Sequence, residues 1–189
     1  MSDDGGIRVN MSAKEGKSAT LEPLPNGKYL MAITDIEVDT IKPGGEGKPE
    51  NVGKPMFKIE LTVQDGDYES RMAWTNVMLF DGALYSVSQM LKAQGIEVKE
   101  IGDRAEFQVP GFAANVIPGP SWWQGKQFVC RLKLSPERTV TNKATKEKKT
   151  YDARAEVKGF MSAKDWNPAT APKKQADGAG TPKRTSMLP

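Results

Sequence analysis

Met56-Phe57-Lys58-Ile59-Glu60-Leu61-Thr62-Val63, followed by Gln64-Asp65-Gly66-Asp67-Tyr68-Glu69-Ser70 and then Arg71-Met72-Ala73-Trp74-Thr75-Asn76-Val77-Met78-Leu79-Phe80, is the stretch that decides the fold. In its first part Phe57, Ile59, Leu61 and Val63 alternate with Met56, Lys58, Glu60 and Thr62. Successive strand side chains point to opposite faces, so this alternation predicts a strand with one buried and one wet face. Asp65-Gly66 at the tip of the middle part is a hairpin signal. The third part is rich in apolar and strand-favouring residues and reads as the return strand. Its Trp74 is balanced between core and surface, because this strand is apolar on both sides. The wet face of the pair carries Lys58 and Arg71, and is the first place to look for a ligand.

Upstream, Pro25-Asn26-Gly27 is a turn that launches a strand over residues 28–38, with Tyr29, Met31 and Ile33 inward. The alternation blurs after Asp35, where a bulge is expected. Residues 39–55 hold Pro43-Gly44-Gly45-Glu46-Gly47-Lys48-Pro49 and Gly53-Lys54-Pro55, too many breakers for regular structure. Residues 1–22 are polar and aperiodic and read as a flexible arm.

Downstream, Leu84, Val87, Met90 and Leu91 recur at helical spacing, predicting a helix over 83–95 capped by Asp81 and ended by Gly95. Residues 96–124 carry Pro110, Pro118 and Pro120 and read as irregular. A fourth strand follows over 126–134, with Phe128, Cys130, Leu132 and Leu134 on one side and Val129, Arg131 and Lys133 on the other. A fifth covers 151–160. The connection between them holds Arg138, Lys143, Lys146, Lys148 and Lys149 against Glu137 and Glu147. From residue 162 the chain turns to Pro, Ala, Gly, Lys and Thr, which reads as a low-complexity basic tail.

The order is therefore strand, strand, strand, helix, strand, strand. A mainly β chain of five strands with one helix between the third and fourth matches the OB-fold, a partly open barrel that binds oligonucleotides. Sandwiches and other small β-barrels are the rivals. The expected organisation is an arm over 1–22, an OB-fold nucleic-acid-binding domain over 23–161 and a tail over 162–189.

Composition narrows the function. The 189 residues suit one domain, and a hydrophobic content of 38% allows one modest core. There is no histidine and a single cysteine, so histidine-dependent catalysis and a structural zinc site are disfavoured. Cys130 alternates with core residues and lacks a base to activate it. Asp35/Glu37/Asp39 and Asp65/Asp67/Glu69 read as a strand's wet side and a turn rather than as Mg²⁺ sites, and no phosphate-cradling Gly-x-x-x-x-Gly-Lys-Ser/Thr stretch occurs. The expectation is a non-enzyme without metal or cofactor, with no membrane span, in the cytoplasm of its host cell.

Charge is uneven. Residues 1–125 hold 12 Lys and Arg against 18 Asp and Glu, whereas residues 126–189 hold 15 against 6. A basic half points to a polyanionic partner. Proteins that hold single-stranded nucleic acid combine phosphate-tracking cations with aromatic faces for unpaired bases. The candidate cations are Lys58, Arg71, Arg131, Lys133, Lys143, Lys146, Lys148 and Lys149; the candidate rings are Trp74, Trp122 and Trp123, with one of the adjacent pair expected outside. Tyr29 and Tyr151 are expected in the core. Nothing here distinguishes DNA from RNA, and homo-oligomerisation stays open. The rival reading is a protein-interaction or virion-associated β-barrel with an incidental basic tail.

The pieces Pro25-Asn26-Gly27-Lys28-Tyr29, Pro55-Met56-Phe57-Lys58-Ile59-Glu60-Leu61, Asp65-Gly66-Asp67-Tyr68 with Arg71, Leu91-Lys92-Ala93-Gln94-Gly95, Gly125-Lys126-Gln127-Phe128 and Val157-Lys158-Gly159-Phe160 occur in this order over residues 25–160. In that order they resemble phage-encoded single-stranded-DNA-binding proteins, including a phage family catalogued as a domain of unknown function. The resemblance implies a protein that coats DNA exposed during phage replication or recombination, alongside phage replication or recombination proteins. It stops short of the end. Many bacterial single-strand binders finish with an acidic tail and a terminal Phe, whereas this chain finishes Lys183-Arg184-Thr185-Ser186-Met187-Leu188-Pro189.

Overall fold

The computed structural model describes residues 22–43, 48–101, 104–141 and 148–174. Five strands form one antiparallel sheet: β1 (Gly27–Thr40), β2 (Pro55–Val63), β3 (Met72–Met78), β6 (Gln127–Ser135) and β9 (Arg154–Ser162), in the order β3-β2-β1-β6-β9. The alternation of β2 becomes a burial pattern: Phe57, Ile59, Leu61 and Val63 are buried, while Lys58, Glu60 and Thr62 are half-exposed. The expected bulge in β1 lies between Ile33 and Asp35, which shifts its register against β2. The turn between β2 and β3 places Gly66 at φ 88°, a conformation glycine tolerates best.

Four antiparallel steps separate β3 from β9, so these two edges run in the same direction. Their Cα atoms approach within 8 Å, but no ladder joins them among the described residues. The interior of the curved sheet is filled from every strand. Tyr29, Met31, Ile33, Ile59, Leu61, Val77, Phe128, Cys130, Leu132 and Phe160 form one cluster. Phe128 and Phe160 meet edge-on at 5.5 Å between ring centroids. The helix α1 (Tyr85–Ala93) adds Val87, Met90 and Leu91 to this core and packs against β9.

Four expectations are corrected. Asp81 does not cap α1; the cap position is Leu84, with no side-chain bond. Gly82 at φ 79° and the Ala83 N–H to Phe80 carbonyl bond form a separate turn first. Residues 96–124 are not all irregular. They hold β4 (Val98–Ile101), β5 (Arg104–Phe107) and a single helical turn, α2 (Pro120–Trp123), with Val98, Phe107, Val109 and Trp123 buried. Such short segments carry too few residues for a period to register. The connection after β6 contains a second paired unit, β7 (Arg138–Thr141) with β8 (Lys148–Tyr151), so Tyr151 belongs to β8 and the fifth sheet strand starts at Arg154.

The fourth correction concerns the tail. After β9 the chain forms two single 3-10 turns, Ala163–Asp165 and Pro168–Thr170, and returns to the β2–β3 turn. The Trp166 indole donates to Asp65 Oδ2 at 2.9 Å, and the Lys174 backbone N–H donates to Asp67 Oδ2 at 2.9 Å. The folded unit thus runs through residue 174 rather than ending at 161.

Candidate nucleic-acid interface

Alternation fixes which side of each strand faces out, and the registers fix which strands are neighbours. Together they divide the sheet exterior by charge. Over β1 and β2 it is acidic. Lys58 is exterior as expected, but its ammonium lies 3.2 Å from Glu37 Oε1 and 2.5 Å from Asp39 Oδ2. These contacts hold Asp39 below, and Lys58 above, their ordinary pKa values, mainly through the hydrogen bond between them. Asp35 and Glu60 add to the same side, so the β1–β2 exterior around Lys58 carries more carboxylates than cations.

The basic side lies elsewhere. Lys28 on β1 is in register with Arg131 on β6, and both are exposed. Like charges directly opposite one another destabilise a sheet, and neither has an ion-pair partner among the described residues. Arg131 is in turn opposite Gly159 on β9, next to Lys158, and Lys133 is opposite Glu156. Among the described residues Glu156 is the carboxylate paired with these cations: it meets Lys158 Nζ at 2.6 Å and Arg154 at 3.3 Å, and its carboxyl is held below the ordinary range chiefly by Lys158. Lys28, Arg131, Lys133, Arg154 and Lys158 therefore form a cationic surface with Glu156 among them.

This surface leads into the gap between the two edge strands. A cleft of about 760 Å³ is lined by Arg71, Trp74 and Asn76 from β3 and its approach, by Arg154, Glu156 and Lys158 from β9, and by Glu22. Trp74 is 62% exposed. Its indole N–H donates to Glu60 Oε2 at 3.1 Å, which fixes the ring at one edge and leaves its face open. Arg71 donates to the backbone carbonyl of Glu22, a neutral acceptor, and no carboxylate lies within ion-pair distance of it among the described residues.

The remaining expected residues divide. Trp123 is fully buried and its indole donates to the Pro118 carbonyl at 2.9 Å, so it belongs to the core and has no face for a base. Trp122 is half-buried, packed edge-on against Trp123 at 4.7 Å and Phe112 at 6.5 Å, with Lys126 Nζ 3.9 Å from its ring centroid. Neither ring lines the cleft. Lys148 is exposed on β8, and Lys149 stands opposite Val140 in the same pair. Lys143 and Lys146 lie outside the described residues. Cys130 is buried and its thiol is pushed far up by that burial, which suits a core residue.

The sequence reading missed Lys28, Arg154 and Lys158. Their alternation places them outward, but only the pairing of β1 with β6 and of β6 with β9 gathers them. Among the described residues, no group of three or more His, Cys, Asp or Glu is placed to hold a metal ion, and no helix is long and apolar enough to cross a membrane. No protein-family model matches this chain, and no curated protein matches it.

Proposed function

We propose that this protein is a non-enzymatic single-stranded-DNA-binding protein built on an OB-type barrel. The strand order β3-β2-β1-β6-β9, with α1 between the third and fourth strands of the sheet and two parallel edges drawn together, supports that architecture. One observation carries the function: the open indole face of Trp74 lies in a cleft with Arg71, Arg154 and Lys158. A ring sharing a cleft with Arg71 from the approach to β3 and with the Arg154–Glu156–Lys158 group of β9 suits a base stacked with its phosphates on the cations. The phosphate path continues over β9 and β6 along Lys158, Arg131, Lys133 and Lys28. Of the expected β2–β3 face and fourth strand, this reading keeps Arg71, Trp74, Arg131 and Lys133, sets Lys58 aside as engaged with Glu37 and Asp39, and adds Lys28, Arg154 and Lys158. In a phage-infected bacterial cell such a protein would coat DNA exposed by replication or recombination.

A second reading is favoured by the exposed edges of β3 and β9, which could accept a partner strand as unpaired edges do. Titrating the full chain with oligo-dT, read by tryptophan fluorescence at two salt concentrations, separates the two. Quenching that weakens steeply with salt is the expected result. No response at low salt would reject nucleic-acid binding and leave the interaction barrel.

A further inference from the structure

We infer that the bound strand runs along the whole outer side of β3 and meets a second ring-and-cation subsite, Phe80 with Lys54, at the end away from Trp74 and Arg71. This inference rests on the reading of the β3/β9 cleft as a single-strand site. A second cleft, of about 880 Å³, is lined by Lys42, Lys54, Lys58, Asn76, Met78 and Phe80, among others. Asn76 lines both clefts, so they meet on β3.

The second cleft holds four lysines, but three are engaged. Lys42 and Lys58 share Asp39, and Lys48 meets Glu50 at 3.8 Å. Lys54 instead donates to the Asn51 amide oxygen at 2.8 Å and stands 4.5 Å from the Phe80 ring centroid. No carboxylate lies within ion-pair distance of it among the described residues. Each end of β3 therefore presents one aromatic ring and one cation whose acceptor among the described residues is a neutral oxygen: Trp74 shares its cleft with Arg71, and Phe80 lies under Lys54. A nucleotide can bring its base to the ring and its phosphate to the cation at either end. From Trp74 to the end of β3 at Met78 the strand advances roughly 14 Å at about 3.4 Å per residue, and Phe80 follows two residues later, so the rings stand at most roughly 20 Å apart. At a stacked rise of about 3.4 Å per nucleotide, that spans on the order of six nucleotides, within the range of about 4–16 that OB barrels cover.

The test compares fluorescein-labelled dT3 and dT12 by anisotropy on the full chain: unaltered, Lys54→Gln, Phe80→Leu and Trp74→Ala. Phe80→Leu keeps apolar bulk at a half-buried position while removing the ring, and Lys54→Gln changes only charge. Lys54→Gln and Phe80→Leu should each weaken dT12 binding by about 5- to 10-fold and leave dT3 within about twofold. Trp74→Ala should weaken both. If dT12 binding is unchanged in Lys54→Gln and Phe80→Leu, or if dT3 falls as much as dT12, the second subsite is wrong. A Trp74→Ala loss would still stand for the first site. If the unaltered chain binds neither oligonucleotide, both readings fall together.

Discussion

A Cβ added to Gly27 would lie 2.2 Å from Cγ of Pro172, a ring atom that cannot swing away. Gly27→Ala should therefore lift the segment around Pro172 off the β2–β3 turn. Faster tryptic cleavage after Lys173 and Lys174 than in the unaltered chain is the expected readout, and equal rates would mean that the segment yields without leaving. Trp74 and Trp123 show one residue type in opposite roles. Trp123 meets all its needs inside the core, whereas Trp74 keeps an open face held by Glu60. Trp74→Ala should cost about tenfold or more in oligo-dT affinity, since stacking is worth roughly 1–3 kcal/mol per base. Trp74→Phe should recover most of it. An affinity unchanged by Trp74→Ala would remove the ring from the site.

The segment after β9 acts as an element, although its sequence reads as tail. Its two short turns are fixed by the side chains of Ser162 and Asn167, which accept from the Lys164 and Ala169 N–H groups. Its hold on the body comes from Trp166 to Asp65 and from Lys174 to Asp67. A hydrogen bond to a charged acceptor is worth about 1.5–3 kcal/mol. Trp166→Phe should lower unfolding stability by about 1–2 kcal/mol in urea denaturation, and a smaller loss would show that the clasp is decorative. The β7–β8 pair leaves from the ends of β6 and β9, at the same end of the sheet as Lys133 and Arg154. Reversing the charges of Lys146, Lys148 and Lys149 together should weaken oligo-dT binding several-fold. Unchanged affinity would detach this unit from the phosphate path.

At the scale of the molecule, the separation of charge sets the response to salt and acid. Phosphates paired with the five cations Lys28, Arg131, Lys133, Arg154 and Lys158 would give log K a slope of roughly −3.5 against log salt, at about −0.7 per phosphate on a single strand. A slope near zero would be incompatible with the proposed path. In acid, Asp39 and Glu156 matter because their lysine partners depress both pKa values in the folded state. Such groups lend stability that is complete above their unfolded values and is lost as pH falls through the lower folded ones. Stability should hold at neutral pH and decline below about pH 4. Urea midpoints measured between pH 7 and pH 3 would check the direction.

β2, β6 and β9 were legible because each alternates over seven or more residues, β3 because strand-favouring residues follow a turn signal, and the β1 bulge because the alternation breaks at Asp35. The sequence alone determined these elements, the outward sides of β1, β2, β6 and β9, the burial of Cys130 and Tyr29, and the basic bias of the second half. Local periodicity and composition are sufficient for that. Only the tertiary structure decided that Lys58 is spent on Glu37 and Asp39, that Lys28, Arg131 and Lys158 share one surface, that Trp74 opens into a cleft while Trp123 is enclosed, and that Trp166 reaches Asp65. Each of these joins residues far apart in the chain, and which strand lies beside which is set by burying every apolar face at once, a condition no single segment contains.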